Sequence, residues 1–176
     1  IGIGGTDAGL VQAHRRAPVT LASGEVVDYG MVGDIDGIDG TVITRLLDDG
    51  FLPVVSPLSC DRSGQLLNIN ADTVAAAIGG TLVAEKLILC TGAPGILERV
   101  DDPQSLISYT DLAGLHRLRE KGAITDGMLP KSSAIEAAIR GGVRRVHVIS
   151  YAETDSLLAE IFTNEGKGTR VVADTK

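Results

Sequence analysis

The chain has 176 residues, of which 44% are hydrophobic and 22% are charged, and its formal net charge at pH 7 is −7. The composition is ordinary for a globular protein, and the acidic balance argues against a nucleic-acid surface, which normally carries a basic patch. No apolar run approaches the length of about 18 residues that a membrane span needs, and no signal peptide is visible. We therefore expect no nucleic-acid partner and no membrane association.

The two cysteines, Cys60 and Cys90, are too few for a disulfide framework and lack the spacing of zinc ligands. Both lie in apolar runs, so we expect buried free thiols, which fit a reducing compartment. The sequence therefore predicts a cytoplasmic location.

The first part of the chain predicts strands around one clear helix. Residues 1–5 are apolar and Gly-rich, which is typical of the middle of a strand, so we expect the start of the protein to be absent. Residues 10–13 and 25–31 are short β-type runs on either side of a turn-rich stretch, a pattern that predicts a hairpin. Residues 39–49 place apolar side chains on one helical face. The solid apolar run 51–57 predicts a strand buried on both faces.

The rest of the chain alternates helices with strands. The predicted elements are an Ala-rich helix after residue 70, a buried strand over 86–90, a helix with Thr110 as its N-cap, a helix opened by Pro130, a strand over 143–149, a helix over 155–162 and a strand over 168–172. This alternation indicates an α/β fold, a three-layer αβα sandwich with a mainly parallel, open sheet. We expect a single domain over residues 1–176.

The loop over residues 56–72 follows the strand predicted over 51–57 and contains several polar residues. It lies at the end of a strand where α/β sheets bind ligands. Asn68 and Asn70 lie two residues apart, so an extended segment places both amides on one side, within reach of one small polar ligand. Asp72 falls in the first turn of the next helix, where the helix dipole favours a carboxylate. The alternative is that Asn70 only caps the helix and that Asp72 only suits its N-terminus.

Lys131 follows Pro130 in the first turn of a predicted helix, where a cation is disfavoured by about 0.3–1 kcal/mol. A bound anion reverses this effect, because free N–H groups and the ammonium then converge on it. The alternative is a lysine exposed to solvent. The preceding loop, which includes Thr125 and Met128, makes a tight turn that permits close approach of a nucleotide.

A Gly-rich loop, Thr-Gly-Ala-Pro-Gly at 91–95, follows the strand predicted over 86–90. Glycine permits close approach of the backbone to a nucleotide, although the same loop is also a common turn after a strand. His14, His116 and His147 are isolated from carboxylate and cysteine patterns. We predict that they are surface or core residues and not metal ligands.

Taken together, these segments resemble the N-acetylglutamate kinase branch of the amino acid kinase family. The resemblance rests on Asn-Ile-Asn-Ala-Asp-Thr at 68–73, Ala-Glu-Lys-Leu-Ile-Leu at 84–89, Pro-Gly-Ile-Leu at 94–97, Ile-Thr-Asp-Gly-Met-Leu-Pro-Lys at 124–131 and Ile-Phe-Thr-Asn-Glu-Gly-Lys-Gly-Thr at 161–169. Their order and spacing match over essentially the whole chain, which makes the set specific.

The resemblance implies transfer of the γ-phosphoryl group of ATP to the side-chain carboxylate of N-acetyl-L-glutamate, a step of arginine synthesis, with Mg²⁺ bridging the phosphates. It implies that Lys131 neutralises charge on the phosphates and that Asp72 orients the catalytic lysines. Asn68 would hold the acetylglutamate, with Asn70 beside it. The nucleotide-binding residues that it implies are Thr91, Gly92, Ala93, Pro94, Gly95, Ile96, Leu97, Ala123, Ile124, Thr125 and Met128. We also expect a homo-oligomer, a dimer or higher.

The sequence departs from the family pattern in two ways that affect function. The lysine-bearing strand with its Gly-Gly pair, the second Gly-rich loop and the arginine that grips substrate are absent, so this chain alone is expected to be inactive. In addition, Gly92 stands where the family usually has an acidic residue. Two alternatives stay open: a kinase for another N-acyl amino acid such as N-acetylaminoadipate, and a non-catalytic nucleotide-binding regulatory protein of the same fold.

Overall fold

The computed structural model describes residues 1–125, 127–163 and 166–174. Asp126, Asn164 and Glu165, which belong to two of the motifs above, lie outside the described residues. The chain forms two compact units, Ile1–Leu82 and Val83–Lys176, which are described in turn, and the expectation of one domain stays a prediction. No helix in the described part of the chain is both long and apolar enough to cross a lipid bilayer.

Short strands and two helices form the first unit. Its strands are β1 (Gly2–Gly4), β2 (Val11–Arg15), β3 (Val19–Thr20), β4 (Val26–Val27), β5 (Gly33–Ile38), β6 (Val54–Ser56), β7 (Leu58–Cys60) and β8 (Leu66–Asn68). They form a four-stranded sheet in the order β5-β2-β7-β8, a parallel pair β1-β6 and an antiparallel pair β3-β4. In the four-stranded sheet, β2 runs antiparallel to β5 and parallel to β7, so the sheet is mixed.

The hairpin predicted between residues 10 and 31 is wrong in its pairing. β2 pairs with β5 instead, and the second predicted run contributes only β4, which pairs with β3. β5 carries Asp34 and Asp36, a residue type that is depleted in strands. Asp36 contacts His14, within β2, at 2.7 Å. Asp34 contacts Arg16, the residue after β2, at 2.5 Å. These cross-strand contacts support a polar strand that the apolar pattern did not predict.

The two predicted helices of the first unit are confirmed as α1 (Thr41–Asp48) and α2 (Ala71–Thr81). Gly50, just beyond α1, has φ of +81° and donates its N–H to the Leu47 carbonyl, as expected of a helix-ending glycine. Apolar side chains from β2, α1, α2 and the segments beside them form the core of this unit: Leu10, Val11, Ala13, Ile43, Leu67, Ile69 and Val74.

The apolar run 51–57 is less buried than predicted. Only Val54–Ser56 forms a strand, and Phe51, Leu52 and Val54 are 52%, 76% and 64% exposed. Within the described residues, β6 pairs with β1 alone. The prediction of a strand buried on both faces is therefore wrong, because a two-stranded ribbon leaves much of its apolar surface uncovered.

The second unit is built on one four-stranded sheet in the order β10-β12-β11-β9. Its strands are β9 (Leu87–Thr91), β10 (Tyr109–Asp111), β11 (Arg145–Ser150) and β12 (Thr169–Val172). β9 and β11 run parallel and pair as far as Thr91 opposite Ser150. β12 runs antiparallel to β11 and parallel to β10.

Three helices of the second unit confirm the predicted ones: α3 (Leu112–Glu120), α4 (Leu129–Arg140) and α5 (Ser156–Phe162). The N-cap of α3 is Asp111, whose carboxylate accepts the Gly114 N–H at 2.7 Å, so the prediction that Thr110 caps this helix is wrong. The reason is that Thr110 lies within β10, whose pairing with β12 extends the strand to Asp111. Pro130 is the second residue of α4, one position later than predicted.

The cysteines are more exposed than predicted: Cys60 is half-buried and Cys90 is exposed. In β9, successive side chains point to opposite faces, so the burial of Leu89 leaves Cys90 on the other face. The expectation of two buried thiols is therefore wrong.

Helices that alternate with strands in mixed sheets confirm the α/β fold.

Candidate functional site

The loop after β9 is anchored in the core of the second unit by two hydrogen bonds. The Ile96 N–H donates to Thr169 Oγ1 at 2.8 Å, and the Ile96 carbonyl accepts the Ile107 N–H at 2.9 Å. Thr169 and Ile96 are both essentially buried, so the first of these bonds is shielded from water. The position of the loop is therefore tied to β12.

Gly95 allows this loop to lie directly against β12. A Cβ atom at this position would lie 2.7 Å from Thr169 Oγ1 and 2.8 Å from Leu106 Cδ1. Neither distance leaves room for a methyl group. Glycine at this position is therefore required for packing within the protein, whatever the loop binds.

The second segment that was predicted to bind nucleotide connects α3 to α4 and contains Ala123, Ile124, Thr125 and Met128. The Ala123 N–H donates to the Leu118 carbonyl at 3.0 Å and ends α3. The Met128 N–H donates to the Thr125 carbonyl at 2.8 Å and leads into α4. Ile124, between these two turns, is 5% exposed. The connection between α3 and α4 therefore carries a buried apolar side chain, that of Ile124.

These two segments line one cavity of about 90 Å³. The lining residues are Ala93, Gly95, Ile96, Leu97, Val100, Ala123, Ile124, Thr125 and Met128. All of them except Val100 were predicted to bind nucleotide, although they come from two stretches separated by α3. The side chains are almost all apolar. Such a recess suits the face of a flat ring and not the charged groups of a nucleotide.

The remaining predicted nucleotide residues lie near this lining but not in it. Thr91 is the last residue of β9, and Gly92 and Pro94 belong to the loop that follows. Lys131 is the third residue of α4 and is half-buried. It lies in the first helical turn, as predicted, where N–H groups without intrahelical partners favour an anion.

Ionic contacts fix α4 against α3. Arg119, on α3, donates from Nε to Ser132 Oγ at 3.0 Å and from Nη1 to Glu136 Oε2 at 2.9 Å. Arg140 donates to the other oxygen of Glu136 at 2.9 Å. The pKa of Glu136 is lowered from its ordinary value, mainly by the hydrogen bond from Arg119 and to a smaller extent by the one from Arg140. Because Ser132 is next to Lys131, this network helps to position the first turn of α4.

The predicted substrate residues lie in the first unit, along one continuous stretch. Leu67 and Ile69 are buried, whereas Asn68 and Asn70 are exposed, so the predicted alternation is confirmed. Asn70 caps α2, since its Oδ1 accepts the Thr73 N–H at 3.1 Å. Asp72, in the first turn of α2, is half-buried. The amides therefore lie on one side, and the capping role weighed for Asn70 is present.

The histidines lie at the surface or in the core, as predicted: His14 is exposed, His116 is half-buried and His147 is buried. Each of them also contacts a carboxylate, which the sequence did not predict. The pairs are His14 with Asp36 at 2.7 Å, His116 with Glu136 at 3.4 Å and His147 with Glu160 at 2.5 Å. The partners lie 13 to 22 residues apart in sequence or on different helices, and no local spacing pattern reveals them. The His147–Glu160 pair alone is buried, with side chains 6% and 5% exposed.

This buried pair borders a second, larger cavity of about 430 Å³ in the second unit. Lys86, Arg145 and Arg170 also line it, so its wall carries several cations. Within the described part of the chain, His147 Nε2 and Glu160 Oε2 are buried without hydrogen-bond partners. None of these residues was predicted as a site residue.

Known proteins resemble this chain over nearly its whole length. A model described as the amino acid kinase family matches residues 2–150. An acetylglutamate kinase from Myxococcus xanthus (strain DK1622) is 45% identical over 179 residues, covering 99% of this chain and 58% of that protein. An acetylglutamate kinase from Symbiobacterium thermophilum is 44% identical, covering 98% of this chain and 59% of that protein. The chain thus spans 58–59% of the length of these two relatives.

Solved structures share the fold. N-acetylglutamate synthase from Neisseria gonorrhoeae, complexed with coenzyme A and L-arginine, has a TM-score of 0.81 and 28% identity, covering 98% of this chain and 38% of that chain. Carbamate kinase from Giardia lamblia bound to AMP-PNP has a TM-score of 0.64 and 21% identity, covering 92% of this chain and 52% of that chain. Because the family model matches residues 2–150 of the 176 present, the chain belongs to the amino acid kinase family.

Proposed function

We propose that this chain is the nucleotide-binding part of an ATP-dependent N-acetylglutamate kinase, which phosphorylates the side-chain carboxylate of N-acetyl-L-glutamate in arginine biosynthesis. The observation that carries the proposal is the convergence of two separate stretches on one apolar cavity of about 90 Å³. Its lining includes Ala93, Gly95, Ile96 and Leu97 from the loop after β9, and Ala123, Ile124, Thr125 and Met128 from the connection between α3 and α4. The names of the relatives with 45% and 44% identity support the same activity.

On the nucleotide side, the apolar cavity takes the adenine ring of ATP. Lys131 and the N-terminus of α4 carry positive charge and N–H groups that suit the phosphates. Lys131 would neutralise charge that develops on the transferring phosphoryl group. Thr91, Gly92 and Pro94 complete the loop beside the cavity.

On the acceptor side, Asn68 holds N-acetyl-L-glutamate through its exposed amide, with Asn70 beside it. Asp72, in the first turn of α2, is the catalytic carboxylate on this side. An oxygen of the substrate carboxylate attacks the γ-phosphorus, and the bond from that phosphorus to the bridging oxygen of ADP breaks. The products are an acyl phosphate and ADP, and catalysis of this step depends mainly on positioning and charge stabilisation.

Mg²⁺ belongs to this proposal as a partner of the ATP phosphates. Magnesium sites in kinases usually combine one or two carboxylates with phosphate oxygens and water. Among the described residues no group of three or more His, Cys, Asp or Glu side chains is arranged to hold a metal ion. When MgATP is bound, phosphate oxygens of the nucleotide would supply ligands to the ion, as is usual in kinases.

The proposal includes a homo-oligomer of two or more chains in the cytoplasm. The exposed apolar side chains of Phe51, Leu52 and Val54 support association, because burying them removes apolar surface from water. Sizing chromatography tests this point: a sharp monomer profile at high concentration would contradict it.

Calorimetric titration with MgATP tests the nucleotide site, with Lys131→Ala and a control, Lys121→Ala, measured alongside. Lys121 is exposed and caps the C-terminus of α3. We expect saturable binding that weakens by at least about 10-fold in Lys131→Ala, as for the loss of one charged hydrogen-bonding group. The control should bind as the unmodified chain does. No saturable binding, or equal binding by both variants, would contradict the proposal.

The acceptor is tested by comparing N-acetyl-L-glutamate with N-acetylaminoadipate as substrates of a longer protein that contains this chain. Phosphorylation of N-acetyl-L-glutamate with higher kcat/KM supports the proposal. A preference for the longer acid would instead identify a sister kinase. Nucleotide binding without transfer to either acid would favour a regulatory protein.

A further inference from the structure

Tyr151 and Gly92 lie side by side where two neighbouring parallel strands end. β9 and β11 pair as far as Thr91 opposite Ser150, so Gly92 and Tyr151 are the next residues of each strand. The Tyr151 N–H donates to the Thr91 carbonyl at 2.9 Å and extends the pairing by one step. Both residues therefore lie at the carboxyl ends of strands, which is where open α/β sheets bind ligands.

The phenol of Tyr151 occupies the space that a side chain at position 92 would fill. A Cβ atom on Gly92 would lie 3.0 Å from Tyr151 Oη and 3.5 Å from Cζ. Gly92 is not among the glycines with positive φ. The backbone conformation therefore does not demand glycine, and the missing side chain instead makes room for the tyrosine.

Packing within the unit does not explain this tyrosine. Its side chain is 73% exposed, so burial of its ring contributes little to stability. A phenol hydroxyl both donates and accepts hydrogen bonds, and here it lies over the residue next to Ala93, which lines the apolar cavity. For an adenine ring in that cavity, the ribose is the first polar group outside it.

We propose that Tyr151 is a nucleotide-contacting residue, whose hydroxyl bonds the ribose of the bound adenine nucleotide from the space left open by Gly92. The inference rests on the proposed nucleotide site and names a residue outside both segments assigned to it. It also gives Gly92 a role: a side chain at this position would push the phenol away from the ribose.

The test compares Tyr151→Phe with the unmodified chain, using MgATP and the magnesium complex of 2′,3′-dideoxy-ATP. Removing the hydroxyl should raise the Kd for MgATP about 3- to 10-fold, as for one neutral hydrogen bond. Removing the ribose hydroxyls should weaken binding to the unmodified chain by a similar factor. Removing the ribose hydroxyls should change the Kd of Tyr151→Phe little, because this variant has already lost the hydrogen bond. Tyr109→Phe makes the same chemical change elsewhere in the unit and should leave both Kd values unchanged.

Gly92→Ala provides an independent measurement. The added methyl group should displace the exposed tyrosine with little loss of stability and weaken MgATP binding, but not weaken it further in a Tyr151→Phe background. Additive effects of the two substitutions would overturn the inference, and so would Tyr151→Phe binding MgATP as tightly as the unmodified chain. In both cases saturable binding by the unmodified chain would leave the proposed nucleotide site intact. No binding by the unmodified chain would overturn the site itself, and this inference with it.

Discussion

The two units differ in how they assemble their candidate residues and in the burial of their histidine–carboxylate pairs. In the second unit, residues from two separate segments meet at one apolar cavity, among them Ile96 from the loop after β9 and Ile124 from the connection between α3 and α4. In the first unit, the candidate residues Asn68, Asn70 and Asp72 lie along one continuous stretch. The second unit buries a histidine–carboxylate pair, whereas the corresponding pair in the first unit is exposed.

This difference shows how strongly each set of predictions is supported. Residues that are neighbours in sequence are close together in any fold, so their proximity in the first unit adds little. Residues separated by a helix meet only if the fold brings them together. Their convergence in the second unit is therefore the stronger structural support for a binding site.

The largest expected effect comes from breaking the buried pair of the second unit. His147→Leu leaves the Glu160 carboxylate buried without its partner and should lower the free energy of unfolding by about 3–5 kcal/mol. His14→Leu removes the partner of an exposed carboxylate, Asp36, and should cost less than about 1 kcal/mol. Urea denaturation followed by circular dichroism measures both, since the chain has no Trp for fluorescence.

A second variant keeps this prediction testable if His147→Leu does not fold. Replacing both His147 and Glu160 with leucine removes the unpaired carboxylate and should recover much of the lost stability. Equal costs for His147→Leu and His14→Leu would show that the two units do not differ in this respect.

The sequence predicts the elements of both units better than it predicts their contacts. Helices α1 to α5 follow from apolar periodicity and end signals, which are local. The buried His147–Glu160 pair was missed because its partners lie on a strand and a helix 13 residues apart. Val100 was missed for the same reason: it is an exposed residue that completes the cavity only after the chain folds back. Burial of 51–57 was overestimated because composition cannot tell which strands pair.

An intermediate loss of unfolding free energy is expected from substitution of Glu136, which links α3 to α4 in the second unit through its contact with Arg119. Glu136→Gln weakens charged hydrogen bonds from Arg119 and Arg140 and should cost about 1–3 kcal/mol of unfolding free energy at neutral pH. Glu120→Gln, at the exposed end of α3, should cost little. Denaturation of both variants measures the difference.

The pH dependence identifies the cause of this effect. Folding lowers the pKa of Glu136, chiefly through the hydrogen bond from Arg119, so its stabilising contribution is present above the unfolded pKa of about 4.3. The contribution is lost as pH falls through the folded value. The stability difference between the unmodified chain and Glu136→Gln should therefore shrink below about pH 4. A difference that stays constant down to about pH 3 would rule out this ionic origin.

The smallest expected effect lies in the first unit and separates the capping and binding roles of its asparagines. Asn70→Ala removes the N-cap of α2 and should cost about 1 kcal/mol, whereas Asn70→Asp keeps an acceptor for the Thr73 N–H and should cost less. Asn68 is exposed and caps no helix, so Asn68→Ala should leave stability nearly unchanged. If Asn68 holds the substrate, this same variant should weaken binding of N-acetyl-L-glutamate to a longer protein that contains this chain. Unchanged binding would contradict the substrate role proposed for Asn68.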